Sequence, residues 1–308
     1  MTISQLTIAS RESPLAMRQT EMVKQALLYK HAALKHISIL GMTTQADRML
    51  EASLLSLGGK GVFVKELEEA LYDRRANIAV HSMKDVPMDL PPGLIIPAIT
   101  KREDPRDAFV ANEFNSIADL PSGAKVGTSS ARRQTQLQKI RPDIEFCMLR
   151  GNINTRLKRL DAGDFSAIIL ASAGLWRMGL QHRIKNYLEP EVCLPAAAQG
   201  ALGIECRADD EQTIAWIRAL NHEPTAICVT AERAVCRSLN GGCKVPIAAF
   251  AEIQQDSLIL SALVADCDST RILRASGQAA LHEAVQLGER IAEQLRSQGA
   301  EEILQKYR

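Results

Sequence analysis

Short apolar runs alternate with helical stripes over the first two-thirds of the chain. Residues 6–9 read as a strand. Ser13 and Pro14 then read as a helix cap followed by proline at the first helical position. Leu15, Met22, Val23, Ala26 and Leu27 share one face of the helix that follows. Residues 37–42 predict a second strand. Val64, Leu67 and Leu71 give another helical stripe, and residues 78–82 a strand running into a polar loop. The turn-rich stretch 86–93 closes this block. The same grammar restarts at 125–127. It runs through Thr128, Ser129 and Ser130 into a helix over 131–140, a strand at 146–149, a helix over 152–160 and a strand at 168–171. Such alternation predicts mainly parallel, doubly wound sheets, and two blocks predict two α/β domains around a cleft. Beyond about residue 220 the texture changes. A helical pattern over 224–239 stops at Asn240-Gly241-Gly242, three strands follow at 246–253, 258–265 and 271–278, and a helix covers 281–297. That pattern predicts a small α+β domain.

Composition narrows the function classes. Of 308 residues, 46% are hydrophobic and 24% charged, enough apolar material for several cores. No apolar run approaches the roughly 18 residues of a membrane span, and no secretory signal is apparent at the start. Seven cysteines, none in a Cys-x-x-Cys pair, are the usage of a reducing compartment, which predicts a cytoplasmic protein. The six histidines form no His-x-x-x-His pair, so no metal site is expected. A monomer is the default.

The net charge of +1 conceals an asymmetry: residues 125–160 carry +7 and the rest of the chain −6. Six of the nine basic residues there are arginines, suited to bidentate contacts with carboxylate or phosphate. Arg132 and Arg133 follow Thr128-Ser129-Ser130 at a predicted helix N-terminus, which already favours an anion. Arg150 stands at a strand end. A solvated helix face is the competing reading. Nucleic acid is disfavoured as a partner, because Phe146 is the one aromatic among these cations and the whole chain is 4% aromatic.

Three further features carry chemistry. His81-Ser82-Met83-Lys84-Asp85 ends a strand; Asp85 either caps its loop and pairs with Lys84, or is a carboxylate that stabilises a cation or moves a proton. Gly58-Gly59-Lys60-Gly61 lacks the P-loop spacing and is either a plain flexible loop or a lid. Cys243 sits on a glycine-marked turn beside Lys244, where a cation favours the thiolate. Cys228 and Cys236 read as core.

Taken together these stretches resemble the porphobilinogen deaminase family. The residues that carry the resemblance are RESPLA (11–16), GGKGVFVKELE (58–68), IAVHSMKDVP (78–87), REDPRDAF (102–109), VGTSSARRQ (126–134), RGNINTRL (150–157), LASAGL (170–175), LPAAAQGALGIECR (194–207) and LNGGCKVPIAA (239–249). They run in order over most of the chain. The resemblance implies a transferase of tetrapyrrole (porphyrin and haem) biosynthesis that joins four porphobilinogen molecules into hydroxymethylbilane, with release of ammonia. It implies a dipyrromethane primer attached covalently through Cys243, with Asp85 as the catalytic carboxylate. Cofactor contacts fall on Ser82, Lys84, Thr128, Ser129, Ser130, Arg132, Arg133, Arg150 and Arg156. Substrate contacts fall on Arg11, Ser13, Lys60, Phe63, Arg177 and Gln199. The implied architecture is two doubly wound, periplasmic-binding-like domains flanking a cleft, plus the small C-terminal domain. The domains would be 1–99 completed by 200–219, 100–199 with the basic wall, and 220–308 carrying the cysteine. No membrane or nucleic-acid partner is implied.

Each pyrrole ring bears two carboxylates, so a growing chain repels itself unless many cations surround it. Arginine clamps also fix ring position, and a covalent tether makes each addition effectively intramolecular. The chain departs from the family pattern at Ala46, Ser56, Ala131, Ala198 (a glycine in PAxGQG, so a stiffer connection is expected) and Lys244. The alternative reading, a two-domain anion-binding receptor without catalysis, needs neither Asp85 nor a modified cysteine.

Overall fold

The computed structural model describes residues 5–43, 64–241, 245–268 and 271–307. Two compact units result: residues 1–102 with 201–226, and residues 103–200 with 227–308.

The first unit is built on a five-stranded sheet in the order β2-β1-β3-β10-β4. Its strands are β1 (Gln5–Arg11), β2 (His36–Met42), β3 (Ile78–Ser82), β4 (Leu94–Ile99) and β10 (Leu202–Arg207). Leu6 and Ile8 of β1 enter one core with Val23 and Leu27 of α1 (Pro14–Lys30) and Ile217 of α6 (Glu211–Arg218). Ala9 of β1 turns to the opposite face and meets Leu67, Ala70 and Leu71 of α2 (Lys65–Tyr72). Alternate residues thus feed cores on both faces, which is why these strands read as continuous apolar runs.

The second unit repeats the plan, in the order β7-β6-β8-β5-β9. The strands are β5 (Asp107–Val110), β6 (Lys125–Gly127), β7 (Glu145–Cys147), β8 (Ala167–Ala171) and β9 (Ile184–Leu188). Phe109 and Ile169 face Leu137 of α3 (Ala131–Ile140), while Val110 and Ile168 face Leu157 and Leu160 of α4 (Ile153–Asp161). A three-stranded antiparallel sheet, β11 (Ile247–Gln254), β12 (Ser257–Ala265) and β13 (Ile272–Ala280), belongs to the same unit. Two helices accompany it, α7 (Glu223–Ser238) and α8 (Ala284–Ser297).

The expectation of mainly parallel sheets needs correction. β1, β2 and β3 are parallel, as are β6, β7 and β8, but β10 and β5 each run antiparallel to both of their neighbours. Strand–helix alternation reports the βαβ units and is silent on a strand inserted from a distant stretch of chain. Residues 94–99, 107–110, 184–188 and 202–207 were not anticipated as strands.

Ala198, where the family pattern has glycine, adopts φ +62°. Its N–H donates to buried Glu232 Oε2 at 2.6 Å, and Glu232 Oε1 accepts from Ala251 N at 2.7 Å. Two buried backbone donors are thereby satisfied while the alanine is held in a conformation costing about 1–2 kcal/mol. Gly288 of α8 is a different case: a Cβ there would lie 2.5 Å from both the Ala231 carbonyl oxygen and Ala234 Cβ of α7. Backbone cannot yield as a flexible side chain can. Gly288→Ala should therefore lower stability by about 1–3 kcal/mol in a chemical-denaturation experiment, with the denaturant slope unchanged.

Candidate active site

In the first unit the residues of interest lie at the carboxyl edge of the parallel strands, where open α/β sheets bind ligands. β1 ends at Arg11, and Ser13 caps α1 by accepting from Ala16 N. β3 ends at Ser82 and passes into a single tight turn, Met83–Asp85. Two polar side chains of α1, both buried, tie down these strand ends. Gln19 Nε2 donates to Ser82 Oγ at 3.0 Å and Thr20 Oγ1 to Ser10 Oγ at 2.7 Å. The turn is pinned from the other side, since Met83 N donates to Ala201 O at 3.0 Å. Met83 Sδ fills the space that a Cβ on Gly203 would need. Lys84 and Asp85 are half-buried beyond this fixed point.

The second unit presents its residues in the same way. Thr128 N donates to Cys147 O at 3.0 Å and Leu149 N to Thr128 O at 3.4 Å, which sets the Thr128–Ser130 loop beside Leu149-Arg150. Ser130 caps α3 by accepting from Arg133 N, and Asn152 caps α4 by accepting from Thr155 N. Two helix N-termini therefore open on this edge. Ser129 is exposed; Arg150 and Arg156 are half-buried, and Arg156 Nε donates to Gly151 O at 2.8 Å.

Other expected site residues turn inward. Arg132 Nη1 lies 2.8 Å from Asp107 Oδ2 and donates to Leu194 O at 2.6 Å. Arg133 places Nε and Nη2 on Asp107 Oδ1 and Nη1 on Ile169 O. Gln199 Nε2 donates to Asp107 Oδ1 at 2.9 Å and to Pro105 O at 2.7 Å. Arg177, the last residue of α5 (Ser172–Arg177), is buried; its Nε lies 3.1 Å from Glu103 Oε2 and its Nη2 donates to Gly200 O at 2.6 Å. Burial pushes the Arg177 pKa down, against the pull of Glu103. Lys60, Phe63 and Cys243 lie outside the described residues, as do Ala46, Ser56 and Lys244.

A family model described as "Porphobilinogen deaminase, dipyromethane cofactor binding domain" matches residues 6–215, and its C-terminal-domain companion matches 226–297. The chain belongs to the porphobilinogen deaminase family. It is 54% identical over 305 residues to a porphobilinogen deaminase of Ralstonia nicotianae, covering 98% of this chain and 91% of the relative. It is 52% identical over 299 residues to one of Nitrosomonas europaea, covering 97% of each. Among solved structures, a methionine-binding lipoprotein of Bacillus subtilis is 11% identical, with 71% of this chain and 90% of that chain covered at a TM-score of 0.45. That likeness is too loose to add to the fold read from the strands.

The family motifs contain a residue that sequence reasoning passed over. Asp107, in REDPRDAF, is fully buried and carries Arg132, Arg133 and Gln199. Burial alone would raise its pKa, but the two guanidiniums override that and hold it well below the usual carboxylate range. Cys193, whose Sγ lies 3.5 Å from Asp107 Oδ2, is pushed up to about 12 by burial and by that carboxylate, so it stays a thiol. The Asp-Ala-Phe spacing before an Arg-Arg helix start was the available signal. Asp107→Asn leaves two buried guanidiniums uncompensated and should cost about 3–5 kcal/mol. A depressed carboxylate contributes its stability above the unfolded-state pKa and loses it as pH falls through the folded one. Wild-type unfolding free energy should therefore fall steadily below about pH 4, and the variant's decline there should be smaller. Denaturation curves between pH 2 and 7 check this.

Proposed function

We propose that this chain joins four porphobilinogen molecules head to tail, releasing ammonia at each addition and yielding hydroxymethylbilane, on a dipyrromethane primer held through Cys243. The observation that carries this reading is the match of residues 6–215 to the family's cofactor-binding domain. The donor set fits such a group. Arg150, Arg156 and Ser129 are at least partly open at the edge where α3 and α4 begin, which suits a ligand made largely of carboxylates.

When bound, the dipyrromethane supplies the free pyrrole α-carbon on which the chain is built. The rest falls to the protein. Asp85, on the turn fixed by Met83, accepts hydrogen bonds from pyrrole N–H groups and stabilises the cation left as ammonia departs. Lys84 and Ser82 flank it as cofactor ligands. Thr128, Ser129 and Ser130 offer hydroxyl and backbone contacts. Arg150 and Arg156 clamp carboxylates, while Arg132 and Arg133, anchored on Asp107, hold the start of α3 in place beside them. Arg11, Ser13, Lys60 and Phe63 serve the incoming substrate; Arg177 and Gln199 support it through the backbone they hold. Cys243 tethers the product chain, so that each addition is intramolecular.

We also infer three functional domains, residues 1–99 with 200–219, 100–199 and 220–308, the last presenting Cys243. None of the six described cysteines is in a disulfide, which supports a reducing, cytoplasmic setting. No described helix is long and apolar enough to cross a membrane. A monomer is expected and is read out by sedimentation.

Intact-protein mass spectrometry should find a stable adduct of two pyrrole units, absent from Cys243→Ser. An unmodified protein with full turnover would overturn the mechanism. Asp85→Asn should keep the adduct and lose turnover by at least about 100-fold; wild-type turnover would remove Asp85 from its role.

A further inference from the structure

Within the second unit, separate stretches of chain meet at the end of β12. Ala265, its last residue, donates its N–H to Pro246 O at 2.9 Å, three residues after Cys243 in the chain. Asp266 follows and is buried. Its N–H donates to Arg271 O at 2.8 Å, its Oδ1 accepts from Asp268 N at 3.1 Å, and its Oδ2 lies 2.7 Å from Lys306 Nζ. Cys267 stands past the last ladder pair, Ala265 with Ile272, and its N–H donates instead to the Tyr307 hydroxyl at 2.9 Å. Lys306 and Tyr307 belong to one short turn, Gln305–Tyr307. The Cys267 side chain points its contacts elsewhere: Sγ lies 3.5 Å from Oγ1 of Thr135, a buried residue of α3.

We propose that this junction, residues 265–267 clamped by Lys306 and Tyr307, holds the chain that follows Cys243 in fixed register with the start of α3, and that Thr135, Cys267 and Tyr307 are positioning residues for the reaction. The inference rests on the reading of Cys243 and of the Thr128–Ser130 loop given above.

Thr135 Oγ1 also lies 2.9 Å from the carbonyl oxygen of Ala131, the first residue of α3. A hydroxyl carries one hydrogen. Given to that carbonyl, it leaves the oxygen free to accept from the Cys267 thiol. Contacts therefore run without a gap from Tyr307 through Cys267 and Thr135 to Ala131. Ala131 follows Ser130, which caps α3 and ends the Thr128–Ser130 loop. A second support reaches the next residue of the helix. Arg274 Nη2 of β13 donates to Gln136 Oε1 at 3.4 Å, and Gln136 takes both the N–H and the carbonyl of Leu194. The two anchors on the β12 end, Ala265 and Cys267, are two residues apart. Even fully extended, that is at most about 7 Å of chain.

The Asp107 triad fixes α3 against β5, whereas the junction fixes it against the chain that follows the tether. Tethered addition needs both references, because the group on the tether and the loop that holds its carboxylates must keep one spacing. A misplacement of about 1 Å can cost on the order of 100-fold in rate. Arg11 and Ser13, which serve the incoming substrate, lie in the first unit on β1 and at the start of α1. Loss of the junction should accordingly act on kcat and leave KM.

The test uses the full holoenzyme, with kcat counted per molecule that carries the two-pyrrole adduct. Hydrogen exchange read by mass spectrometry over residues 128–137 should be about fivefold faster in Tyr307→Phe than in the wild type, although Tyr307 is remote from that segment in sequence. Thr135→Val and Tyr307→Phe should each lower kcat about tenfold with KM for porphobilinogen unchanged, and Thr135→Ser should restore it. The double variant should lose about tenfold, not a hundredfold, since both changes break one line of contacts. Should Thr135→Val fold poorly, Tyr307→Phe decides alone, because it leaves α3 untouched. Exchange over 128–137 that is unchanged in Tyr307→Phe overturns the hold on α3. Faster exchange with wild-type kcat, or losses that multiply in the double variant, overturns the positioning role. Absence of porphobilinogen turnover in the wild type would instead defeat the functional reading, and the exchange measurement would still decide whether the junction holds the helix start.

Discussion

Asp107 is a carboxylate that water never reaches, and two arginines pay for its burial. Asp107 lies on the antiparallel strand β5, and Arg132 and Arg133 open α3, so the ion triad fixes the helix start against the sheet. Gln199 ties the segment leading to β10 into the same oxygen. Two guanidiniums against one carboxylate leave a surplus positive charge in a place of low dielectric. The triad is thus a structural element that fixes where α3 begins.

Much of this was legible in the sequence because the βαβ grammar is local. A strand end, a hydroxyl cap and a helix start occupy consecutive residues, as in Gly127-Thr128-Ser129-Ser130-Ala131, and their order dictates where they stand. The antiparallel strands were not legible, because residues 202–207 pair with residues more than a hundred positions away and carry no period of their own. Residue roles divided along the same line. Arginine in a basic stretch reads as a ligand, yet whether it faces out or in depends on a distant carboxylate. Arg150 and Arg156 stay partly open, whereas Arg132 and Arg133 close on Asp107, and nothing within 125–160 distinguishes them.

The helix faces hold a related lesson. Gln19 and Thr20 are buried on α1, although an apolar stripe predicts Leu15 and Met22 there, which are only half-buried. The two polar residues are inside because Ser10 and Ser82 need partners at the ends of β1 and β3. Ala198 shows the converse. Alanine in a left-handed conformation opposes its own preference, and the buried Glu232 carboxylate keeps it there by serving two backbone donors at once. The expected stiffening is therefore a stored strain with an identifiable clamp.

Net charge illustrates how an average misleads about partners. A sum of +1 excludes a uniformly basic surface, but +7 within residues 125–160 is compatible with a polyanionic ligand. Part of that +7 is offset by the protein, since Asp107 and Asp164, outside the stretch, pair with Arg132 and Arg133 and with Arg159; Asp143, already counted in the sum, pairs with Arg141. The exposed pairs contribute little to stability and are screened by salt. What remains for a ligand is the smaller set at the strand edge, where helix N-termini point the same way. Location at that edge, more than the number of cations, decides which of them can hold carboxylates.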